Sequence, residues 1–257
     1  MASENLLSIV EQCMENENAS CVNSCPFELD VKGLIKKIKK KDFNGAYKIY
    51  RNQVVFPEIV SKICHKPCES ACVRKDSDNS VSINDLERAL VKHASNKKPI
   101  KFNLPSKEKK VVIIGAGLTG LTCALRMATR KYDVTIYEKT DKVGGRLSKL
   151  MEESVYTEEI ERQFENVTYS LNLNANIKNL ESLDFDVALI ATGAGGVTFG
   201  RGEQLDVGSL GTTREGVFIG GNVIGTLPVE SIDHGIRAAD AMEKYLKIGS
   251  MDGYPEK

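Results

Sequence analysis

The chain has 257 residues, and its 35 lysine and arginine residues balance 35 aspartate and glutamate residues. This net charge of zero argues against nucleic acid as a partner. A hydrophobic content of 41% is typical of a globular protein of one large domain or two modest ones. The N-terminus is acidic and lacks a sustained apolar run, and no stretch approaches membrane-spanning length. We therefore expect a cytoplasmic protein without a secretory signal or a membrane span.

The seven cysteines are unevenly distributed along the chain, since six of them lie before residue 73. In a reducing compartment, grouped cysteines are more often metal or cluster ligands than disulfide partners. Cys123 stands apart inside a predicted helix, where a small buried side chain is expected. The pattern therefore predicts a metal-binding N-terminal domain, with Cys13, Cys21, Cys25, Cys64, Cys68 and Cys72 as candidate ligands.

Helical periodicity dominates the region between and after these cysteines. From about Asp30 to Tyr50, apolar residues recur at the spacing of one buried helix face, and a second helix is predicted from Ile83 to His93. The lysines between 36 and 41 could form a docking patch for an acidic redox partner or a solvated helix face, and we favour the latter. Residues 96–110 contain prolines and lysines without an apolar period. We therefore expect domains at 1–95 and 111–248, joined by this linker.

The second domain opens with a βαβ pattern. A strand at Val111 to Ile114 precedes Gly115-Ala-Gly117-Leu-Thr-Gly120, and Glu138 ends the next strand, Asp133 to Tyr137, as a dinucleotide fingerprint requires. The first glycine permits the tight turn, the second the approach of the pyrophosphate, and the third close packing of helix and strand. Glu138 would accept a hydrogen bond from a ribose hydroxyl. The fingerprint alone does not distinguish FAD from NAD.

Three later segments favour FAD: Gly144-Gly145, Ala191-Thr192-Gly193 after the strand Val187 to Ile190, and Gly216 to Asn222 before a predicted helix. Here the sequence resembles the two-dinucleotide-domain flavoproteins, which implies an α/β fold with a Rossmann-like FAD-binding domain. The late aspartate of that family is Asn222, which can hydrogen-bond ribityl or phosphate oxygens but carries no charge. The resemblance implies FAD contacts at Gly115, Gly117, Leu118, Thr119, Gly120, Glu138, Lys139, Gly145, Arg146, Ala191, Thr192, Gly193, Gly221 and Asn222.

The cysteine segments, from Cys13 to Pro26 and from Ile63 to Cys72, and the segment from Val81 to Glu87 resemble the N-terminal domain of the glutamate synthase small (beta) subunit and of dihydropyrimidine dehydrogenase. That domain is small, α-helical and holds two 4Fe-4S clusters. The resemblance implies one cluster on Cys25, Cys64, Cys68 and Glu87, and another on Cys13, Cys21 and Cys72.

The second of these cluster sites is one thiolate short, because Asn16 replaces the remaining cysteine of the family. An amide is a poor ligand for cluster iron, so that cluster would be three-iron, water-ligated, labile or absent. One or two iron-sulfur clusters are therefore expected. Glu87 has a plainer interpretation as a helix-surface carboxylate, and His65 is a neighbour rather than a ligand.

Glutamate synthase small subunits carry an NAD(P)H-binding domain between the GG and ATG parts of the FAD domain. Here Arg146 to Phe185 spans about 40 residues, against about 100 for an independent domain, and no second G-x-G-x-x-G occurs. We therefore expect the NAD(P)H-binding domain to be missing between about 146 and 186. No acid-base set is evident, and His234, near the start of the last helix, is expected to cap or pack rather than to lie near the flavin.

These observations favour an electron-transfer subunit that passes electrons between FAD and its cluster or clusters. Its partner would be a larger catalytic, NAD(P)H-linked or ferredoxin-linked oxidoreductase subunit. Two alternatives stay open: a self-sufficient NAD(P)H-dependent reductase of the glutamate synthase small-subunit type, and a scaffold that binds FAD without using it.

Overall fold

The computed structural model describes residues 2–13, 19–76, 79–200, 208 and 210–251. The chain divides into two compact units between Lys98 and Pro99, a position inside the predicted linker. Among the described residues, no helix is long and apolar enough to cross a membrane.

The first unit is helical. The helix predicted from Ile83 to His93 is observed with those bounds. In chain order the unit contains α1 (Ala2–Glu11), α2 (Ser20–Asn23), α3 (Val31–Lys39), α4 (Phe43–Val54), α5 (Pro57–Ile63), α6 (Pro67–Ser70), a 3₁₀ turn (Val73–Asp76) and α7 (Ile83–His93).

The single helix predicted from Asp30 to Tyr50 is wrong, because two helices occupy that stretch. The predicted apolar face is buried in α3 as expected. The chain then breaks at Lys41, which adopts a left-handed conformation with φ of 59°. Asp42 starts α4 by accepting a hydrogen bond of 2.8 Å from the Gly45 N–H, as Asp30 does for α3. Side-chain capping of this kind satisfies N–H groups that a helix start leaves without partners.

The second unit is an α/β domain with a five-stranded parallel sheet in the order β3-β2-β1-β4-β5. This is a doubly wound order, which confirms the expected Rossmann-like fold class. The strand order reverses between β1 and β4, and ligands of such sheets bind beyond the carboxyl ends of the strands at that point. The elements are β1 (Lys110–Ile114), α8 (Leu118–Thr129), β2 (Asp133–Tyr137), α9 (Glu153–Phe164), β3 (Ser170–Asn172), β4 (Val187–Ile190), β5 (Val217–Ile219) and α10 (Pro228–Ile248).

The strands β1 and β4 and the edge strand β5 are buried along nearly their whole length. Helices α8 and α10 pack against each other closely, since a Cβ added at Gly235 would lie 2.5 Å from the Thr122 Cβ. The absence of a side chain at Gly235 therefore allows α10 to pack against the first turn of α8, which follows the glycine loop.

Candidate iron-sulfur and dinucleotide sites

Four predicted cluster ligands lie close together in the first unit. Cys25 follows α2, Cys64 directly follows α5, Cys68 lies in α6, and Glu87 lies in α7. Each of the three thiols interacts electrostatically with the Glu87 carboxylate, and both Cys64 and Cys68 also interact with Cys25. Four segments of the helical unit thus bring one carboxylate and three thiols into the same region.

Burial makes the ionised forms of these ligands costly in the protein alone. It raises the pKa of Cys64 to about 11, and it raises the pKa values of Cys25 and Cys68 as well. Burial also raises the pKa of Glu87 to about 7. Bound iron would supply the positive charge that stabilises thiolate and carboxylate ligands. The donor set therefore fits an iron-sulfur cluster.

Glu87 is held from within the domain. It is 4% exposed, so its interpretation as a helix-surface carboxylate is wrong. The Asn84 Nδ2 group donates to Glu87 Oε2 at 2.9 Å and to the Ser61 carbonyl at 3.3 Å. The buried Tyr50 side chain also interacts with the Glu87 carboxylate. Asn84 and Tyr50 were not identified from the sequence. Asn84 lies one helical turn before Glu87 in α7, a spacing that could have indicated the contact. Only the tertiary structure relates Tyr50 to Glu87.

The other three cysteines form a second group. Cys13, Cys21 and Cys72 line one cavity of about 40 Å³. Cys21 interacts electrostatically with Cys13 and Cys72, and burial raises its pKa. Cys25 interacts with Cys21, which relates the second group to the first. Asn16, the predicted vacancy in the ligand set, lies outside the described residues.

Arg74 lines the same cavity and links distant segments of the chain. Its Nη1 donates to the Gln12 carbonyl at 2.9 Å, next to Cys13, and its Nε donates to the Asn79 carbonyl at 3.4 Å. Across the described ranges, no three histidine, cysteine or acidic side chains converge closely enough to hold a single metal ion. The ligands of an iron-sulfur cluster bind different iron atoms, so they need not converge on one point.

In the second unit, the glycine loop lies between β1 and α8. Gly115 has a φ of 108°, and a Cβ added there would lie 2.3 Å from the Ala191 carbonyl oxygen, so the ATG turn after β4 contacts the loop directly. A Cβ at Gly120 would lie 1.9 Å from the Gly115 oxygen. A Cβ at Gly117 would meet no atom within 4 Å. Gly117 thus borders open space at the N-terminus of α8, where N–H groups attract phosphate.

Glu138 connects the glycine loop to the segment after β2. Its Oε2 accepts from the Ala116 N–H at 2.7 Å. Its Oε1 accepts from the Thr140 N–H at 2.9 Å and the Thr140 hydroxyl at 2.8 Å. A carboxylate has about four acceptor positions, so one is left for a ribose hydroxyl. The ribose contact of Glu138 stays a prediction. The structure shows a second role that the sequence did not indicate, since Glu138 holds the glycine loop against the segment after β2.

The GG segment lies against the glycine loop, since a Cβ at Gly145 would be 3.2 Å from the Gly117 Cα. The Arg146 Nη1 donates to Asn222 Oδ1 at 2.9 Å, and the Asn222 amide donates to the Thr226 carbonyl. These contacts bring the segment after β2 to the segment after β5. The ATG turn joins them through the contact of Ala191 with Gly115.

The remaining predicted contacts differ in how they face the crevice. Gly193 borders open space with a φ of 77°, and Lys139 is exposed. Leu118 and Thr119 are buried, and the Thr119 hydroxyl donates to the Ser231 carbonyl at 2.8 Å. The Thr119 side chain thus binds protein, which leaves its N–H at the start of α8 for a ligand.

His234 lies in α10 and stabilises the late glycine turn. Its Nδ1 accepts a hydrogen bond of 3.2 Å from the Gly221 N–H. Burial, followed by the positive charge of Arg237, lowers the pKa of His234 to about 4. The imidazole is therefore neutral at neutral pH, as acceptance at Nδ1 requires. A Cβ at Gly221 would lie 2.0 Å from Thr119 Oγ1, so a side chain does not fit at this turn.

Comparison with known proteins places the first unit in a family. Residues 1–99 match the family model described as dihydropyrimidine dehydrogenase domain II, 4Fe-4S cluster. The N-terminal unit is a 4Fe-4S domain of this type. The resemblance predicted from the cysteine segments is therefore confirmed. Residues 113–166 match the model of an NAD(P)-binding Rossmann-like domain, a range that includes the glycine fingerprint and Glu138.

Similar proteins are subunits of oxidoreductases. The NADPH-Fe(3+) oxidoreductase subunit beta of Geobacter sulfurreducens is 36% identical over 131 residues, or 50% of this chain and 20% of that protein. The NADP(+)-dependent formate dehydrogenase subunit beta of Moorella thermoacetica is 29% identical over 207 residues, or 68% and 29%. The NAD-dependent dihydropyrimidine dehydrogenase subunit PreT of Escherichia coli is 30% identical over 194 residues, or 71% and 47%. The chain thus spans less than half the length of each of these relatives.

Proposed function

We propose that the chain is an FAD- and iron-sulfur-dependent electron-transfer subunit of a larger oxidoreductase, which passes electrons between flavin and 4Fe-4S cluster or clusters. The observation that carries this proposal is the convergence of Cys25, Cys64, Cys68 and Glu87 in a 4Fe-4S domain that shares its chain with a Rossmann crevice. Flavin chemistry suits this combination, because a flavin can accept two electrons and release them singly to one-electron carriers.

The assignment of FAD rests on the loops at the switch point of the sheet. The start of α8 would hold the pyrophosphate beside Gly117, and the free acceptor position of Glu138 would hold a ribose hydroxyl. Arg146 and Asn222 already contact each other, so they form one polar group that would orient the rest of the cofactor. A fingerprint-only NAD(P) site does not account for the GG and ATG segments that pack around the loop.

The role as a subunit rests on the segment where the NAD(P)H domain is expected to be missing. Residues 146–186 supply α9, β3 and short turns of the same unit, and β3 joins the same sheet. We place the nicotinamide or terminal-substrate site on another chain, a larger oxidoreductase subunit. The three relatives described above are themselves named as subunits. A cytoplasmic location is part of the proposal, because grouped thiols of this kind need a reducing compartment.

Anaerobic purification tests the proposal. Iron, sulfide and flavin are quantified, the flavin is released by denaturation and identified, and co-purifying subunits are determined. We expect FAD, at least one 4Fe-4S cluster, rapid reduction by dithionite and slow reduction by NADH or NADPH. Release of FMN, or of no flavin from folded protein, would contradict the FAD assignment.

The same preparation separates the alternatives. Rapid stoichiometric reduction of the flavin by NADH or NADPH in a monodisperse monomer would instead indicate a self-sufficient reductase. A bound flavin that cannot be reversibly reduced would indicate a scaffold.

A further inference from the structure

An open groove of about 650 Å³ lies between α5 and α7 in the first unit. Its charged lining residues in the described part of the chain are Lys62, Arg88, Lys92, Lys97 and the carboxylate Glu58. Four positive charges against one negative charge give the groove a net charge of +3. Because the whole chain has a net charge of zero, this excess is a local feature of the surface.

The groove borders the Cys25/Cys64/Cys68/Glu87 site. The Ser61 carbonyl, between the two helices, accepts from Arg88 Nε at 3.2 Å and from Asn84 Nδ2 at 3.3 Å. The same Asn84 amide donates to Glu87 Oε2. The groove residue Arg88 is therefore linked to the predicted ligand Glu87 through two intervening groups, a backbone carbonyl and the Asn84 amide. A redox centre docked at the groove would lie beside that ligand group.

The lining residues favour a protein surface over a small molecule. Small-molecule sites are mostly apolar, with a few convergent polar groups, whereas Val91 is the apolar side chain among the groove residues described here. Arg88 and Lys92 are exposed, and lysine charges on flexible stems suit a mobile electrostatic contact. Electron-transfer encounters between proteins bury small areas, and complementary charge guides them. Arg88 also retains terminal N–H groups that can bind a carboxylate.

We propose that the α5–α7 groove docks the acidic surface of an electron-carrier protein, which exchanges electrons with the cluster on Cys25, Cys64, Cys68 and Glu87. One electron leaves the reduced carrier and enters the oxidised cluster, and no bond is made or broken. This inference rests on the proposed function for its redox step, but the docking itself does not.

The test uses the anaerobically purified full chain and a purified acidic 2Fe-2S ferredoxin as the probe. Lys92→Glu with Lys97→Glu reverses two charges in the groove. Lys39→Glu with Lys40→Glu makes the same change in net charge at exposed positions at the end of α3. We measure the second-order rate of cluster reduction by reduced ferredoxin at low and high salt. Carbodiimide cross-linking then identifies the lysines that contact ferredoxin carboxylates.

We expect the groove variant to lower the low-salt rate by at least about 10-fold and to weaken its salt dependence. The α3 variant should change the rate by less than about 2-fold, and wild-type cross-links should include Lys92 or Lys97. Equal losses in both variants, or no loss in the groove variant, would overturn the proposal. So would groove-dependent binding of inorganic phosphate or NADPH with an unchanged ferredoxin rate, because that result indicates a small-anion site.

Two measurements keep the inference separate from the proposed function. Iron, sulfide and helix content of each variant show whether the domain is folded and contains its cluster. If the charge-reversal variant is not folded or lacks the cluster, Lys92→Gln with Lys97→Gln is used in its place. If the wild-type chain holds no cluster, the proposed function fails, while cross-linking still tests the docking. If the cluster is present and ferredoxin neither reacts nor cross-links through the groove, the docking proposal alone fails.

Discussion

Glu138→Gln tests the carboxylate that joins the glycine loop to the end of β2. The carboxylate accepts hydrogen bonds on both oxygens, from Ala116 on one side and Thr140 on the other. A glutamine presents an oxygen to one side only and an NH₂ group to the other. In either orientation, one backbone N–H therefore faces a donor and loses its acceptor.

The structure indicates which bond is lost. The Thr140 hydroxyl can bond the Lys142 carbonyl at 2.9 Å instead, whereas the Ala116 N–H bond is buried. We therefore expect the glutamine oxygen to face Ala116 and the Thr140 N–H to lose its partner. Hydrogen bonds to charged groups contribute about 1.5–3 kcal/mol, and an unsatisfied donor costs about 1–3 kcal/mol. Because Thr140 is exposed and its hydrogen bond to Glu138 is only partly buried, we expect a loss near the lower end of these ranges, about 1.5 kcal/mol in the free energy of unfolding.

Urea unfolding of the flavin-free protein, followed by far-UV circular dichroism, measures this loss. The matched control is Glu165→Gln at the exposed end of α9, which should stay within about 0.5 kcal/mol of wild type. FAD affinity is measured where both proteins are fully folded, and we expect it to fall because a ribose acceptor is lost. A Glu138→Gln stability equal to that of the control would refute the anchoring role. Unchanged FAD affinity would refute the ribose contact.

Four further variants test other parts of the structure. Gly117→Val should fold normally, because a Cβ there would meet no protein atom within 4 Å. It should abolish FAD binding in fluorescence titration, because the side chain would occupy the space of the pyrophosphate. Cys64→Ala should remove an EPR-active cluster, and an unchanged spectrum and iron content would show the assignment to be wrong. Arg74→Gln should lower iron content at the three-cysteine site while retaining the Cys64 signal, because Arg74 secures the carbonyl next to Cys13. The pKa of His234 is about 4 in the folded protein and 6.5 in the unfolded chain. As the pH falls below about 6.5, His234 is therefore protonated in the unfolded state but stays neutral in the folded state, which favours unfolding. Stability should thus fall by about 1 kcal/mol between about pH 7 and 5 after allowance for solvent screening, and His234→Gln should remove that part of the slope in urea unfolding.

The sequence predicted those parts of the fold that depend on local pattern. The strands β1, β2 and β4 are short apolar runs bounded by glycine or polar residues, and their positions were predicted to within one residue. The apolar face of α3 was also predicted correctly, because its spacing is regular. The break after α3 was missed because a capping residue, Asp42, interrupts a stretch that otherwise looks helical.

Helix α9 was not predicted, because its buried face is only partly apolar. Glu159 and Gln163 lie on that face beside Tyr156, Ile160 and Phe164. Gln163 Nε2 donates to Glu159 Oε1 at 3.2 Å, and Arg162 lies 3.4 Å from Glu159 Oε2. These partners make it possible to bury polar groups that a periodicity argument assigns to solvent. The segment 146–184 therefore reads as polar while forming part of the domain.

Asn222 shows how the structure alters a conclusion drawn from the family pattern. From the sequence, replacement of the family's aspartate indicated a loss of charge at the FAD site. In the structure, the amide accepts from Arg146 and donates to the Thr226 carbonyl. An ionised aspartate could accept from Arg146 but could not donate, and it would place negative charge against a carbonyl oxygen. The neutral residue thus satisfies its neighbours and leaves the Arg146 charge without a carboxylate partner at Asn222. That charge is then available to a phosphate group, so the substitution is compatible with binding of an anionic dinucleotide.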